Sequence, residues 1–268
     1  MLRVNRLKQV LTEAQRPAMG VWQTLPGANI SRVLARSGVD WVLVDCEHGN
    51  IDDAAMHEAV PAIAAMGVSP IVRLPDFQPW MVKRALDTGA HGILIPLIRT
   101  VEEVKAVVEA AKFPPLGRRG FGSPFAPQGF PSASGLTLTE YLQQANDSLL
   151  TMVQIETREA LEAVEDIAQL VDVVFVGPFD LGNNIGRPIV GSEMHPELSE
   201  AIERIRVATV AAGAKAGIYS TSGVQAKKFA DQGFHMISVA TDYTVLGAAV
   251  ADALVAARGE GTESTGSS

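Results

Sequence analysis

Cysteine is almost absent from this chain, which carries only Cys46. A single thiol cannot form a disulfide within the chain, and it cannot build a zinc site from several thiolates. Scarce cysteine is typical of proteins from a reducing compartment. We therefore expect a cytoplasmic protein.

The chain also lacks long apolar runs and an excess of basic residues. Its first twenty residues contain no apolar stretch of the signal-peptide type, and no segment approaches the roughly 18 apolar residues of a transmembrane helix. The formal net charge of -8 disfavours binding to nucleic-acid phosphates. The sequence thus predicts no membrane and no nucleic-acid partner, although paired arginines or a metal can still bind a small anionic substrate.

Eight short apolar runs recur along the chain, each too short for a helix and bounded by Gly, Pro, Asp or Ser. Their nearly continuous apolar character is typical of strands that are buried on both faces of a parallel sheet. The predicted strands lie at roughly 18–24, 41–47, 69–74, 92–98, 150–156, 171–177, 215–220 and 236–241.

Segments of helical periodicity separate these runs, and glycine recurs just before the strands, as expected where the helix of a β/α unit ends. Thr100 and Thr157 occupy N-cap positions, and only Thr100 is followed by the glutamate, Glu103, that completes a capping box. Examples of predicted helices are 52–66, 100–112, 157–170 and 197–212.

This alternation predicts an α/β fold, a closed (β/α)8 barrel formed by a single domain over residues 1–258. The polar tail at 259–268 is expected to be disordered. An open doubly wound sheet is the alternative. No Gly-x-Gly-x-x-Gly follows the first strand, which weakens a dinucleotide-binding version of that sheet.

Charged residues cluster where the predicted strands end, which is where barrel enzymes place their active sites. Asp45, Glu47 and His48 follow the second strand, Glu156 ends the fifth and Asp180 follows the sixth. Two carboxylates without a second suitable histidine or cysteine suit a hard divalent ion such as Mg²⁺ or Mn²⁺. The sequence leaves open the alternative that Glu156 and Asp180 cap helices or pair with arginine.

Three further side chains are candidates for proton transfer or charge stabilisation. His48 is either a catalytic base or a surface histidine in a loop. Arg73 lies inside the apolar run IVRLP and needs an anionic partner, which is either a protein carboxylate or the substrate. Asp87 is able to orient a histidine by accepting its ring N–H.

No lysine is predicted to lie on the inner barrel wall, where a Schiff-base aldolase needs one. Five of the seven lysines occupy helical stretches, Lys8 lies in the N-terminal segment, and Lys215 begins the seventh strand at the wrong end of the barrel. The chemistry is therefore expected to depend on a metal rather than on an iminium.

Six segments together resemble the HpcH/HpaI family of class II pyruvate aldolases over nearly the whole chain. They are DCEHG at 45–49, VRLP at 72–75, LDTGAHGILIP at 86–96, PPLGRRGFG at 114–122, VQIET at 153–157 and VGPFDLGNNIG at 176–186. The resemblance implies a TIM barrel of the phosphoenolpyruvate/pyruvate-domain type. It also implies a homo-oligomer, usually a hexamer, with the last helix exchanged between subunits.

The resemblance implies a carbon–carbon lyase that converts 4-hydroxy-2-oxo acids to and from pyruvate and an aldehyde, with Mg²⁺, Mn²⁺ or Co²⁺ as cofactor. Glu156 and Asp180 match the family's metal ligands. His48 matches its catalytic base, Asp87 the carboxylate that raises the basicity of that base, and Arg73 the residue that stabilises the enolate. The expected substrate contacts are Gln154, Phe179 and, by analogy of position, Trp22.

Some residues depart from the family pattern. Phe179 stands where close relatives carry a small residue, and Tyr219 and Ser220 end the seventh strand where an apolar residue is common. The segment RRGFGSPFAPQGF is similar to the decarboxylating branch that includes macrophomate synthase. An oxaloacetate decarboxylase or macrophomate synthase-like enzyme that uses the same enolate is therefore the alternative, followed by a lyase of CoA thioesters and by a catalytically silent binding protein.

The same glycine-rich segment contains Arg118 and Arg119. They either clamp a carboxylate or belong to a subunit contact. Because their connection leaves the predicted fourth helix of the repeat at the amino-terminal face of the barrel, it reaches an active site only around its own barrel or in a neighbour. We expect one of these arginines to contact the site or support its wall, and to favour small or acidic acceptor aldehydes.

Overall fold

The structure, a computed structural model, describes residues 1, 4–13, 16–130, 135–191 and 193–259. Eight parallel strands pair in sequence order and close into a barrel. The predicted (β/α)8 fold is confirmed, and the open sheet is excluded. Apart from Gly259, the tail predicted to be disordered lies outside the described residues.

All eight predicted strands are present, and most end one to three residues earlier than predicted. The residues predicted beyond these ends belong to the turns that follow the strands, and several of them line the cavity described below. The strands are β1 (Ala18–Gln23), β2 (Trp41–Asp45), β3 (Ser69–Arg73), β4 (Gly92–Ile95), β5 (Leu150–Ile155), β6 (Val173–Val176), β7 (Lys215–Ile218) and β8 (Met236–Thr241).

The predicted helix at 157–170 is two short helices, and further helices lie in the connection between residues 112 and 149 and directly after the sixth strand. The described helices are α1 (Arg6–Glu13), α2 (Ala28–Ala35), α3 (Asp53–Ala64), α4 (Pro79–Asp87), α5 (Val101–Ala111), α6 (Leu138–Ser148), α7 (Arg158–Glu162), α8 (Val164–Ile167), α9 (Pro178–Asn184), α10 (Pro196–Ala211), α11 (Gly223–Asp231) and α12 (Asp242–Arg258), with a short 3-10 helix at Ala126–Gly129. Thr100 forms the predicted capping box with Glu103, and Thr157 caps α7 by accepting from the backbone N–H of Ala160.

Two apolar layers hold the barrel together. One lies between the strands and the surrounding helices, and the other fills the barrel interior around Trp41, Leu43 and Phe175. Gly20 leaves room for the Trp41 ring, because a methyl group there would overlap it. Apolar side chains of α1 pack against the interior layer at its amino-terminal end. The side chains of α1 thus close the amino-terminal end of the barrel interior, and the carboxyl end stays accessible.

A buried polar cluster joins α1 to the amino-terminal end of the barrel. Asn5 donates to the backbone carbonyls of His91 at 3.0 Å and Ser148 at 2.8 Å. The His91 ring lies 2.6 Å from the carbonyl oxygen of Gly129 and 2.9 Å from Ser69 Oγ. Burial lowers the pKa of His91 to about 4, so the ring is neutral in the folded protein near pH 7.

The last helix, α12, makes little contact with its own barrel. Of its residues only Asp242 is buried, while Val245, Leu246, Val250 and Leu254 are about half exposed. Among the described helices none combines the length and apolar character of a membrane span. Within the described part of the chain, nothing covers the exposed apolar residues of α12.

We predict that His91 makes folding sensitive to mild acid. The unfolded chain takes up a proton on this histidine near its ordinary pKa of 6.5, whereas the folded chain does so only near 4. The free energy of unfolding should therefore fall as pH drops through this interval, by up to about 3 kcal/mol for this residue. Urea unfolding of His91→Gln should show a correspondingly shallower acid slope than wild type.

The exposed His195 provides the matched control, since His195→Gln should keep the wild-type slope. Parallel pH profiles for wild type and His91→Gln would show that the buried histidine does not titrate as the structure requires.

Candidate active site

A cavity of about 700 Å³ opens at the carboxyl ends of the strands. It contains seven of the eight site residues predicted from the sequence and lacks only Asp87. The seven are Trp22, His48, Arg73, Gln154, Glu156, Phe179 and Asp180.

Arg73, the last residue of β3, is paired with a protein carboxylate. Asp45 ends β2 and is its cross-strand neighbour in register. Arg73 Nε donates to Asp45 Oδ1 at 2.9 Å, and Nη2 donates to Oδ2 at 2.7 Å. Both side chains are buried, so this bidentate pair answers the question that the sequence left open about the partner of Arg73.

Glu47 brings a second carboxylate to the same guanidinium. Its Oε2 lies 2.7 Å from Arg73 Nη1, which also donates to Gln154 Oε1 at 3.3 Å. Burial raises the pKa of Glu47, although the charge of Arg73 opposes the shift. Among the described residues, three of the five N–H groups of Arg73 donate hydrogen bonds, two to Asp45 and one to Gln154, while Glu47 contributes an ion pair. One N–H on Nη2 therefore remains for another ligand.

Glu156 lies directly after β5 and is only 2% exposed. Its Oε1 accepts from Gln154 Nε2 at 2.7 Å, and its Oε2 accepts from the backbone N–H of Leu97 at 3.1 Å. Loss of solvation raises its pKa to about 8, and the negative charge of Asp180 adds to the shift. No described basic side chain forms an ion pair with this carboxylate, so the protein alone leaves its charge uncompensated.

The backbone is shaped around Glu156. Leu97 adopts a left-handed conformation with φ 51°, which is rare for a residue other than glycine, and it is this residue that directs its N–H to the carboxylate. On the other side, any side chain at Gly177 would overlap Glu156 Oε1. The position of this carboxylate is therefore fixed from two sides.

Asp180 lies in the first turn of α9, exposed at the edge of the cavity. A buried carboxylate without a counter-ion and a second carboxylate nearby are donors that fit a hard divalent cation. Among the described residues, no cluster of three or more His, Cys, Asp or Glu side chains is placed to hold a metal. An ion bound by these two residues alone would keep positions open for water or substrate.

His48 lies at the mouth of the cavity, and its side chain is 66% exposed. Its backbone N–H and that of Glu47 lie 3.3 and 3.1 Å from Asp45 Oδ1. The carboxylate that pairs with Arg73 thus also fixes the turn that carries the histidine. The ring is open to ligand and solvent rather than buried in the core.

Asp87 is not brought to His48 within this chain. It ends α4 at the amino-terminal side of the barrel, where its Oδ1 accepts from Arg119 Nη2 at 2.8 Å. Since His48 follows β2 at the carboxyl end, the predicted pairing of these two residues is not formed inside one subunit.

Neither arginine of the glycine-rich segment lines the cavity of its own chain. Arg119 is buried between Phe113 and Tyr141, with its guanidinium 4.6 Å from the Phe113 ring centre. Arg118 is exposed and pairs with Glu109 of α5. In this subunit Arg119 is a packed core residue rather than a mobile loop cation.

The predicted substrate-contacting residues surround Arg73. Gln154 bridges Arg73 and Glu156, and the Trp22 ring centre lies 4.3 Å from the guanidinium carbon. Phe179 is 44% exposed at the entrance, 6.2 Å from the Tyr219 ring. All seven lysines fall within the described ranges and none lines the cavity, as the sequence predicted.

Sequence reasoning gave no role to Asp45, Glu47 or Thr241. The first two neutralise Arg73, and Thr241 Oγ1 lies 3.0 Å from the Tyr219 hydroxyl inside the cavity. Asp45 could have been found from the sequence, because it and Arg73 end adjacent predicted strands. The partners of Glu47 and Thr241 depend on turns that the apolar pattern does not encode.

Comparisons with known proteins match this chain along its length. Residues 18–249 match the family model of HpcH/HpaI aldolase/citrate lyase. The chain is 36% identical over 266 residues to 4-hydroxy-2-oxo-heptane-1,7-dioate aldolase of Salmonella dublin, covering 98% of both chains.

Two solved structures are also similar to this chain over nearly its whole length. An HpcH/HpaI aldolase/citrate lyase family protein from Burkholderia cenocepacia J2315 superimposes with a TM-score of 0.86 at 34% identity, over 95% of this chain and 99% of that one. Macrophomate synthase superimposes with a TM-score of 0.85 at 27% identity, over 98% of this chain and 91% of that one.

We predict that Glu156 destabilises the protein at neutral and alkaline pH when chelator is present. The pKa of Glu156 rises from 4.5 to about 8 on folding. Its destabilising effect on the folded protein is therefore absent below pH 4.5 and grows as pH rises from 4.5 to about 8. Glu156→Gln should therefore gain stability relative to wild type between pH 5 and about pH 8, by at most about 5 kcal/mol.

Urea unfolding in chelator measures this difference, with the exposed Glu200→Gln as control. If the profiles of wild type and Glu156→Gln stay parallel across this range, the carboxylate is not held in the uncompensated state described here.

Proposed function

The chain belongs to the HpcH/HpaI aldolase/citrate lyase family, and on that premise we propose that it is a metal-dependent aldolase that cleaves and forms 4-hydroxy-2-oxo acids, with pyruvate and an aldehyde as the other reaction partners. The family is generally metal-dependent. The observation that carries the proposal is the buried Glu156 carboxylate, which has no ion-pair partner among the described residues and lies beside Asp180 in a cavity without lysine.

Glu156 and Asp180 are the residues that would hold a divalent ion, with Mg²⁺, Mn²⁺ and Co²⁺ as the candidates. When bound, such an ion supplies Lewis-acid stabilisation of the enolate oxygen. Gln154 keeps the neighbouring groups in place, because its amide donates to Glu156 and its carbonyl accepts from Arg73.

His48 acts as the base in this proposal. It accepts the proton of the 4-hydroxyl, the C3–C4 bond breaks, and its electrons pass into the enolate of pyruvate while the aldehyde leaves. The remaining N–H on Nη2 of Arg73 donates a hydrogen bond to the oxygen on which negative charge develops. A proton taken up at C3 completes pyruvate.

The role of Asp87 as support for His48 requires a neighbouring subunit, because the two residues lie at opposite ends of one barrel. We propose a homo-oligomer, a hexamer as the resemblance implies, with α12 exchanged between subunits. The exposed apolar residues of α12 support this arrangement, since a soluble monomer gains nothing from leaving them uncovered.

Decarboxylation of oxaloacetate is the second candidate. The structural similarity to macrophomate synthase favours it. Loss of CO₂ from oxaloacetate yields the same enolate without a proton transfer from a hydroxyl group, so Arg73, Glu156 and Asp180 would serve both reactions.

We predict that pyruvate release from a 4-hydroxy-2-oxo acid stops after exhaustive chelation and returns with Mg²⁺, Mn²⁺ or Co²⁺. Gly177→Ala should weaken Mn²⁺ binding by at least about tenfold, because the added methyl group overlaps Glu156 Oε1. Gly223→Ala is the control, since a methyl group there meets open space. Mn²⁺ titration followed by electron paramagnetic resonance reads out binding, and full turnover in metal-free enzyme would disprove the proposal.

We predict that His48→Ala lowers the kcat of aldol cleavage far more than that of oxaloacetate decarboxylation, because only cleavage removes a hydroxyl proton. A loss of about a hundredfold in cleavage is typical for a general base. His195→Asn, which alters an exposed histidine outside the cavity, should leave both rates unchanged. Equal losses in the two reactions would contradict the role of His48.

We predict that the protein is an oligomer at micromolar concentration and that α12 holds it together. Light scattering should give a hexamer for wild type, and a double substitution of exposed residues, Leu246→Glu with Val250→Glu, should reduce the assembly. A wild-type monomer would refute the assembly and leave Asp87 without access to His48.

A further inference from the structure

One side of the cavity is lined by hydroxyl groups. Strands β7, β8 and β1 are consecutive around the closed barrel, opposite the strands that carry Glu156 and Arg73. The residues that end or follow these strands and line the cavity are Thr24, Tyr219, Thr221, Thr241, Tyr243 and Thr244, together with Leu25. We call these six hydroxyl-bearing residues the hydroxyl wall.

The Tyr219 and Thr241 side chains form the fixed centre of this wall. Their hydroxyl oxygens are 3.0 Å apart, and the Tyr219 ring packs edge-on against Trp22 with ring centres 5.2 Å apart. One hydroxyl proton joins the pair, and the other is left over with free lone pairs. The pair is therefore able both to donate to and to accept from a hydroxyl group of a ligand.

Thr24 is held in position by a carboxylate behind the wall. The buried Asp242 accepts from Thr24 Oγ1 at 2.7 Å and from the backbone N–H groups of Thr24 and Leu25 at 3.0 and 2.9 Å. Because the Thr24 hydroxyl donates to Asp242, it presents only its lone pairs to the cavity. Asp242 also places a negative charge just behind this surface.

The hydroxyl wall contains no basic side chain that could pair with a carboxylate of the substrate. Among the described lining residues the only basic side chains are Arg73, which pairs with Asp45 and Glu47, and His48, which lies after the neighbouring strand β2 and outside the wall. Within one subunit, Arg118 and Arg119, the arginines expected from the sequence to favour acidic acceptors, pair with Glu109 and Asp87 outside the cavity. In an assembly that brings a neighbour's Asp87 to His48, Arg119 arrives buried and already neutralised by that carboxylate. A carboxylate at the far end of an aldehyde would face hydroxyl groups and the charge of Asp242.

We propose that the hydroxyl wall selects a short, neutral, hydroxylated aldehyde of the glyceraldehyde type as the acceptor. The inference rests on the proposed aldolase function and narrows its substrate class to 4-hydroxy-2-oxo acids that carry further hydroxyl groups. In the forming direction the methyl group of pyruvate loses a proton, its carbon bonds to the aldehyde carbon, and the aldehyde oxygen takes up a proton to become the 4-hydroxyl. No atom is lost and no other reactant is needed.

The test compares three aldehydes in condensation with pyruvate: glyceraldehyde, propanal as its deoxy counterpart of equal length, and succinic semialdehyde as the acidic acceptor. Wild type should show the highest kcat/KM for glyceraldehyde. Tyr219→Phe and Thr241→Val should each lower this value by about fivefold to tenfold, the effect of one neutral hydrogen bond, and leave propanal within twofold. Thr241→Ser keeps the hydroxyl and should behave as wild type.

A preference for succinic semialdehyde, or equal losses for glyceraldehyde and propanal in both variants, would overturn the inference. Exchange of the pyruvate methyl protons with deuterated water separates this failure from failure of the proposed function, since enolate formation needs no aldehyde. Exchange without the predicted selectivity disproves the hydroxyl wall alone, whereas absence of exchange disproves the aldolase proposal and the inference with it.

Discussion

An uncompensated buried carboxylate is the constraint on which this site depends. Glu156 is withdrawn from water at the end of an apolar strand, and neither of its two hydrogen bonds comes from a charged group. The cost of such a charge is several kcal/mol unless a cation completes the site or the carboxylate takes up a proton, which its raised pKa favours. Arg73 does not meet this need, because Asp45 and Glu47 already neutralise it.

The barrel makes this arrangement possible. Its apolar layers supply the stability that allows strained and charged groups to persist at one end, including the left-handed backbone at Leu97. In-register pairing of β2 and β3 places Asp45 against Arg73, and the crowded backbone at Gly177 fixes Glu156. The hydroxyl wall on the other side contains no charged side chain. In the proposed reaction, the charged side of the cavity therefore suits the 2-oxo acid, and the hydroxyl wall suits the aldehyde.

Much of this architecture follows from the sequence because it rests on local patterns. Apolar runs of strand length predicted all eight strands. Charged residues at or near the ends of these runs predicted that Glu156, Asp180 and Arg73 line the cavity. What could not be predicted depends on distant partners. Arg119 reads as a loop arginine between glycines, and it is buried only because Phe113 and Tyr141 enclose it. Asp87 is different, because its place just before Gly89 and the fourth strand already indicates the amino-terminal end of the barrel, opposite His48. Only its partner, Arg119, could not be predicted.

Diffraction from crystals soaked in Mn²⁺ and pyruvate, collected at an energy where manganese scatters anomalously, tests the central claim most directly. The account predicts one strong anomalous peak within coordination distance of both Glu156 and Asp180, and a Glu156 carboxylate turned toward it. Crystals with pyruvate bound in the cavity but no peak between these two carboxylates would contradict it, because Glu156 would then be accommodated in its protonated form and not by a cation.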